Sequence, residues 1–142
     1  TIQQELNTAG NDIGIKYASQ KVLLDSILTM ATFFTLDDGA SITDYDFMLT
    51  YTEGGREKQK AITPIASGNR YRLDIEDIPV AYWDYMYKIT VTEKSTGLTY
   101  EVNSSVLAWA KRCIQGSTNP MQIDMAKSMY YYNDAANQFF GK

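Results

Sequence analysis

Residues 70–76, RYRLDIE, alternate without a break: Tyr71, Leu73 and Ile75 on one side, Arg70, Arg72 and Asp74 on the other. Successive side chains of an extended chain point to opposite faces, so such a run is a strand with one buried and one wet face. Nothing constrains this chain more, because the same period of two recurs along most of it. GIKYAS (14–19) is a short strand candidate. SILTMATFFTL (26–36) puts Leu28, Met30, Phe34 and Leu36 together and Thr29, Ala31 and Thr35 opposite. DYDFMLTYT (44–52) collects Phe47, Leu49 and Tyr51; YMYKITVTE (85–93) collects Tyr85, Tyr87, Ile89 and Val91; LTYEVN (98–103) adds Tyr100 and Val102.

Turn sequences separate these runs: DDGA at 37–40, EGGR at 53–56, ASGN at 66–69 and KSTG at 94–97. Strands at this short spacing, with no helix between them, predict an antiparallel sandwich of the immunoglobulin-like kind. KQKAITPI (58–65) is a weaker strand whose lysines and Pro64 suit a sheet edge, where charge and a missing donor discourage further pairing.

After Asn103 the period becomes helical. Ser104 or Ser105 suits an N-cap, Leu107, Ala110, Cys113 and Ile114 form one stripe, and Gly116 suits the stop. A second helix begins near Met121, with Gly141 as its C-cap. The expected architecture is one α+β domain over 14–142. It comprises an immunoglobulin-like antiparallel β-sandwich (14–103) and a C-terminal helical hairpin (104–142), and residues 1–13 serve as a linker.

Bulk properties narrow the function. A net charge of −4 argues against nucleic acid and against an anionic membrane surface. No apolar run approaches the roughly 18–20 residues that span a bilayer. The chain contains no histidine, which removes His-based triads and His metal sites. Its single cysteine, Cys113, lies on the apolar stripe of the first helix and reads as a buried, inert thiol. The chain begins at Thr1 and reads as a module of a longer protein.

Aromatic residues make up 13% of the chain, and 11 of them are tyrosines. Two stretches concentrate them. VAYWDYMYK (80–88) carries Tyr82, Trp83, Tyr85 and Tyr87; as a strand it would put Trp83, Tyr85 and Tyr87 on one face and Tyr82 on the other. One face packs on the core and the other stays partly wet, where rings stack on sugars or on a protein partner. Alternatively, Trp83 caps the core. The second stretch is MAKSMYYYNDAANQFFGK (125–142). Three consecutive tyrosines span roughly 200° of a helix, so they cannot all face one core. Met125, Met129, Tyr132, Ala136 and Phe139 or Phe140 form the expected core stripe. Tyr130 and Tyr131 fall off it. They either lie across a neighbouring element with the hydroxyl in water or form a recognition surface.

Four carboxylates, Asp37, Asp38, Asp44 and Asp46, fall within ten residues. Oxygen-rich loops of this kind can hold calcium, although the spacing is not that of an EF-hand, and a solvated acidic turn is the competing reading. Asp74, Glu76, Asp77 and Asp84 raise the same two readings. Any acidic chain offers carboxylate pairs of the glycosidase type, and nothing singles one out here.

The closing segment resembles that of a module found in secreted, multi-modular surface proteins of gut Firmicutes. Lys127, Met129, Tyr132, Ala136, Phe140 and Gly141 match its pattern, whereas Asn133 stands in place of glycine and Ala135 in place of tyrosine. YRLDIEDIPVAYWDYMYKITV and VNSSVLAWAKRCIQ occupy the places of its strand–loop–strand and helix. The resemblance implies an extracellular, non-catalytic module, often near glycan-degrading, dockerin or repeat modules, and it supplies no catalytic residues. The expectation is therefore a cell-surface accessory module that binds a glycan through Trp83, Tyr82 and Tyr85, with Tyr130 and Tyr131 as further contacts and calcium as an optional ion. The alternative is a structural spacer or a module that docks another surface protein.

Overall fold

The structure is a computed structural model that describes residues 6–24, 28–76 and 78–139. Strands β1 (Asn7–Gly10), β9 (Thr99–Ser104), β8 (Tyr87–Glu93), β4 (Tyr45–Glu53) and β5 (Arg56–Ala61) form one antiparallel sheet in that order. Strands β2 (Ile15–Leu24), β3 (Leu28–Leu36), β7 (Arg70–Glu76) and β6 (Ile65–Ser67) form the other. With β2, β3, β7 and β6 as A, B, E and D, and β9, β8, β4 and β5 as G, F, C and C′, this is the immunoglobulin strand order. The sandwich and the two C-terminal helices agree with the alternation in the sequence.

The alternating residues meet where the period places them. Register aligns Leu49, Ile89 and Val102 across one sheet and Met30 with Ile75 across the other. All five are buried. Phe34 of β3 and Phe47 of β4 join the two sheets edge-to-face, with ring centroids 6.1 Å apart. β5 lies at a sheet edge with all six side chains exposed, as its lysines require.

Three boundaries differ from expectation. Residues 7–10, expected as linker, form β1 against β9. Their side chains are all exposed, so no alternation marks them, and backbone pairing alone makes the strand. Gly10 ends it at φ 106°, where a Cβ would lie 2.5 Å from the Thr99 carbonyl oxygen. β2 runs five residues beyond the expected end at Ser19. Its register shifts between Tyr17 and Ser19, which moves the inward positions from Ile15 and Tyr17 to Gln20 and Val22. A bulge thus erased the period that the sequence reading relied on. Finally, residues 80–86 are not strand: Val80–Tyr82 is a 3-10 turn, and β8 starts only at Tyr87. Pro79 precedes that turn, and the backbone bonds Tyr82 N–H to Pro79 O and Tyr85 N–H to Tyr82 O close it into a coil.

Helix α1 (Val106–Gly116) starts at Ser105, whose hydroxyl accepts from Ala108 N–H at 3.0 Å. Leu107, Ala110 and Cys113 are buried, as expected of the stripe, together with Val106, Ala108 and Trp109. Helix α2 (Pro120–Phe139) packs along α1 and onto the 80–82 turn.

The α2 stripe is a correction. Ala126, Met129 and Asn133 are its buried residues, and Tyr130 packs beside them. Tyr132 is 58% exposed and Phe139 82% exposed. The reason is polar: Asn133 Nδ2 donates to the Val80 carbonyl oxygen at 2.7 Å and sits 3.5 Å from Asp84 Oδ1. Docking Asn133 turns its neighbour Tyr132 about 100° away, toward solvent. Phe140 and Gly141 lie outside the described residues, as do Asp77, Ser26 and the first residues of the linker.

Candidate functional site

The 79–86 coil divides its aromatic residues between two tasks. Trp83 turns inward. It is 5% exposed, and its indole N–H donates to the Ile78 carbonyl oxygen at 3.0 Å. Its own carbonyl accepts from Leu107 N–H at 3.0 Å, which satisfies one of the amides left unpaired at the start of α1. The Val80 carbonyl and the Asp84 carboxylate receive Asn133, and Asn137 Nδ2 lies 3.4 Å from Asp84 Oδ2. This side of the coil is the seat of the helical hairpin. Trp83 therefore has no open face for a ligand, and its assignment as a contact residue is corrected: it is the core cap.

Tyr82 and Tyr85 turn the other way. With Tyr51 from β4 they line a cavity of about 280 Å³, near the lower end of the roughly 300–1,000 Å³ typical of small-molecule sites. Their rings meet edge-to-face, 5.0 Å between centroids and 73° between planes. Gly54 N–H donates to the Tyr82 hydroxyl at 3.4 Å, which ties the coil to the β4–β5 turn. Lys60 Nζ stands 5.5 Å from the Tyr51 ring centroid, a cation over a π face. Glu53 and Glu76 add carboxylates to the lining. The hydrogen bond from the Lys58 ammonium, 2.8 Å away, holds the Glu53 carboxyl below its ordinary value. At neutral pH Glu53 is thus an acceptor of hydrogen bonds. Aromatic walls with a few charged groups at the rim can stack a ring and hydrogen-bond its hydroxyls.

Tyr51 and Lys60 were absent from the candidate residues. Part of the signal was present: Tyr51 follows Phe47 and Leu49 on the inward face, and near the end of β4 it packs against the core while its half-buried ring also walls the cavity.

The tyrosines of α2 do not line this cavity. Tyr130 lies across α1, as one of its two readings required, but its hydroxyl donates to the Leu107 carbonyl oxygen at 3.1 Å instead of to water. Burial pushes that hydroxyl above its ordinary value. Tyr131 is 71% exposed and meets Tyr132 edge-to-face at 5.8 Å.

Of the two readings of the acidic loop, the geometry lends calcium no support. The described residues contain no group of three or more acidic, cysteine or histidine side chains able to hold a metal ion. Asp37, Asp38, Asp44 and Asp46 are all exposed. Asp37 supplies turn backbone bonds to Gly14 and Ala40, Asp44 Oδ2 accepts from Ser41 N–H at 3.3 Å, and Asp46 faces Lys94 Nζ at 3.8 Å. The Asp44 and Asp46 carboxylates thus have separate partners. Cys113 is buried, and burial raises its thiol pKa, which suits an inert thiol.

No helix among the described residues is long and apolar enough to cross a membrane. Comparison with protein-family models, with curated proteins and with solved structures returns no match.

Proposed function

We propose that this chain is a non-catalytic accessory module of a secreted or cell-surface multi-modular protein, and that it binds carbohydrate in the cavity walled by Tyr51, Tyr82 and Tyr85. The observation that carries this reading is the division of the 79–86 coil. Trp83 secures the hairpin, while two tyrosines that packing does not fully consume join a third around a concave site with Glu53 and Lys60 at hand. One saccharide ring stacks on tyrosine, and its hydroxyls reach the charged rim. The test is a glycan array followed by calorimetry on any hit. Tyr82→Ala and Tyr85→Ala should each weaken binding about tenfold while leaving the fold intact, since a stacked ring contributes about 1–3 kcal/mol in comparable aromatic–ring stacking. Undiminished binding by both variants would sink the assignment.

The second reading is a structural spacer or docking module in a surface assembly, without a glycan ligand. It draws on α2, whose outward side leaves Met121, Tyr131, Tyr132 and Phe139 each more than half exposed. A blank array, together with association that Tyr132→Asp removes, would favour it.

A further inference from the structure

A second cavity, about 310 Å³, lies between β2 and the α1–α2 hairpin, lined by Tyr17, Ser19, Gln20, Trp109, Arg112 and Ser117 among others. One guanidinium group, that of Arg112, belongs to its lining; that of Arg70 lies outside the lining and reaches Ser19 from the exposed side. Arg112 Nη2 donates to Gln20 Oε1 at 2.7 Å, and Arg70 Nη1 donates to Ser19 Oγ at 3.5 Å. Neither arginine has a carboxylate partner among the ion pairs of the described residues, and Arg112 Nη1 is buried without any hydrogen-bond partner. Carboxylates are not scarce: the chain has 17 acidic residues against 13 basic ones, and Arg72, near Arg70 on the same strand, is paired with Asp74 at 2.8 Å.

Gln20 does not compensate for this. It is neutral, and its oxygen already accepts from Ser104 Oγ at 3.1 Å, while its amide donates to Thr32 and to the Tyr87 hydroxyl. It satisfies one guanidinium N–H and none of the charge. A partly buried cation without a counter-charge is costly, so the site as built is half of an ion pair. Other groups fit an anion. Ser19 Oγ accepts from Arg70, which leaves its O–H free to donate. Burial raises the Tyr17 hydroxyl above its ordinary value, with Arg112 acting in the opposite sense, so it remains a donor at neutral pH. The carbonyl end of α1 and the amide end of α2 meet at this rim, so their dipoles offset and the guanidinium groups set the sign of the field.

We infer that this cavity binds a single oxyanion group, a carboxylate or sulfate, between Arg112 and Ser19, with Arg70 acting through its hydrogen bond to Ser19. The guanidinium fork suits such oxygens and takes them bidentately. This site does not depend on the tyrosine cavity. The group is either a free ion or one carried by an acidic sugar.

The test titrates the isotopically labelled module with sodium acetate, sodium sulfate and sodium galacturonate, each against sodium chloride at equal ionic strength. Amide signals of Ser19, Gln20 and Arg112 should shift and saturate with an oxyanion but not with chloride. A tighter constant for galacturonate than for acetate identifies a sugar-borne group, and equal constants a free ion. Arg112→Gln should abolish saturation. Arg70→Gln, at an exposed position, should weaken it roughly two- to fivefold, the reach of one solvent-exposed charge. If Arg112→Gln fails to fold, Arg70→Gln and Ser19→Ala carry the test. Equal shifts with chloride, or unchanged affinity in both Arg70→Gln and Ser19→Ala, would overturn the inference.

Discussion

Replacing Trp83 with alanine separates the two meanings of the aromatic coil. The indole is 5% exposed, and its N–H donates to the Ile78 carbonyl oxygen. A large aromatic side chain buries about 150–250 Å², which at about 25 cal/mol per Å² corresponds to about 4–6 kcal/mol. Compactness of the unfolded chain lowers that by about 10–40%, and the lost hydrogen bond adds about 1 kcal/mol. The expected loss is therefore about 3–6 kcal/mol, in line with large-to-small core substitutions. Domains of this size have only about 5–15 kcal/mol in total, so Trp83→Ala should be marginally folded. Urea unfolding followed by far-ultraviolet circular dichroism measures the loss, because fluorescence would report only Trp109. Trp83→Phe keeps a ring but leaves the Ile78 carbonyl unpaired, and should fall between the two. A loss under about 1 kcal/mol, with glycan binding abolished, would refute the reasoning, since a core cap cannot be removed so cheaply.

Two further outcomes follow from polar groups inside the fold. Asn133→Ala strips the Val80 carbonyl of its donor and should cost about 1–3 kcal/mol, with hydrogen exchange quickening in α2 and the 80–82 turn before the sheets. Tyr87 is fully buried, and burial raises its hydroxyl above 10.0, as it does those of Tyr17, Tyr45 and Tyr130. The folded state thus holds these protons more tightly than the unfolded chain. Stability is complete below about pH 10 and declines as pH rises through the raised values. Tyr87→Phe should flatten that alkaline decline in urea melts taken between about pH 9 and pH 11, even if it costs stability at neutral pH.

The sheets were legible because their information is local. RYRLDIE reads as a strand in isolation, since a period of two and one wet face follow from backbone geometry alone. The same holds for β4, β8 and β9, for the Ser105 cap and for the buried Cys113 stripe. Legibility failed where the period was broken or absent. The bulge after Tyr17 hid the second half of β2, and the exposed residues of β1 had no period to show. In the candidate site, Tyr82 and Tyr85 were visible as aromatic residues beside Pro79. Tyr51 was visible only as an inward strand residue and Lys60 only as an edge lysine, because they come to the coil across the sheet from β4 and β5.

The sequence by itself thus determined the class of the fold: alternating half-buried strands, an immunoglobulin-like order of short turns, and two closing helices. Only the tertiary structure decided what each aromatic ring does. Trp83, Tyr82 and Tyr85 lie within four residues and are all aromatic, yet one is core and two wall a cavity. Tyr130, Tyr131 and Tyr132 were likewise apportioned by Asn133, whose amide found Val80 53 residues away and set the rotation of α2. Periodicity states that a chain must bury one face. Which neighbour covers that face, and which polar group anchors it, is a contact between distant residues that no local pattern contains.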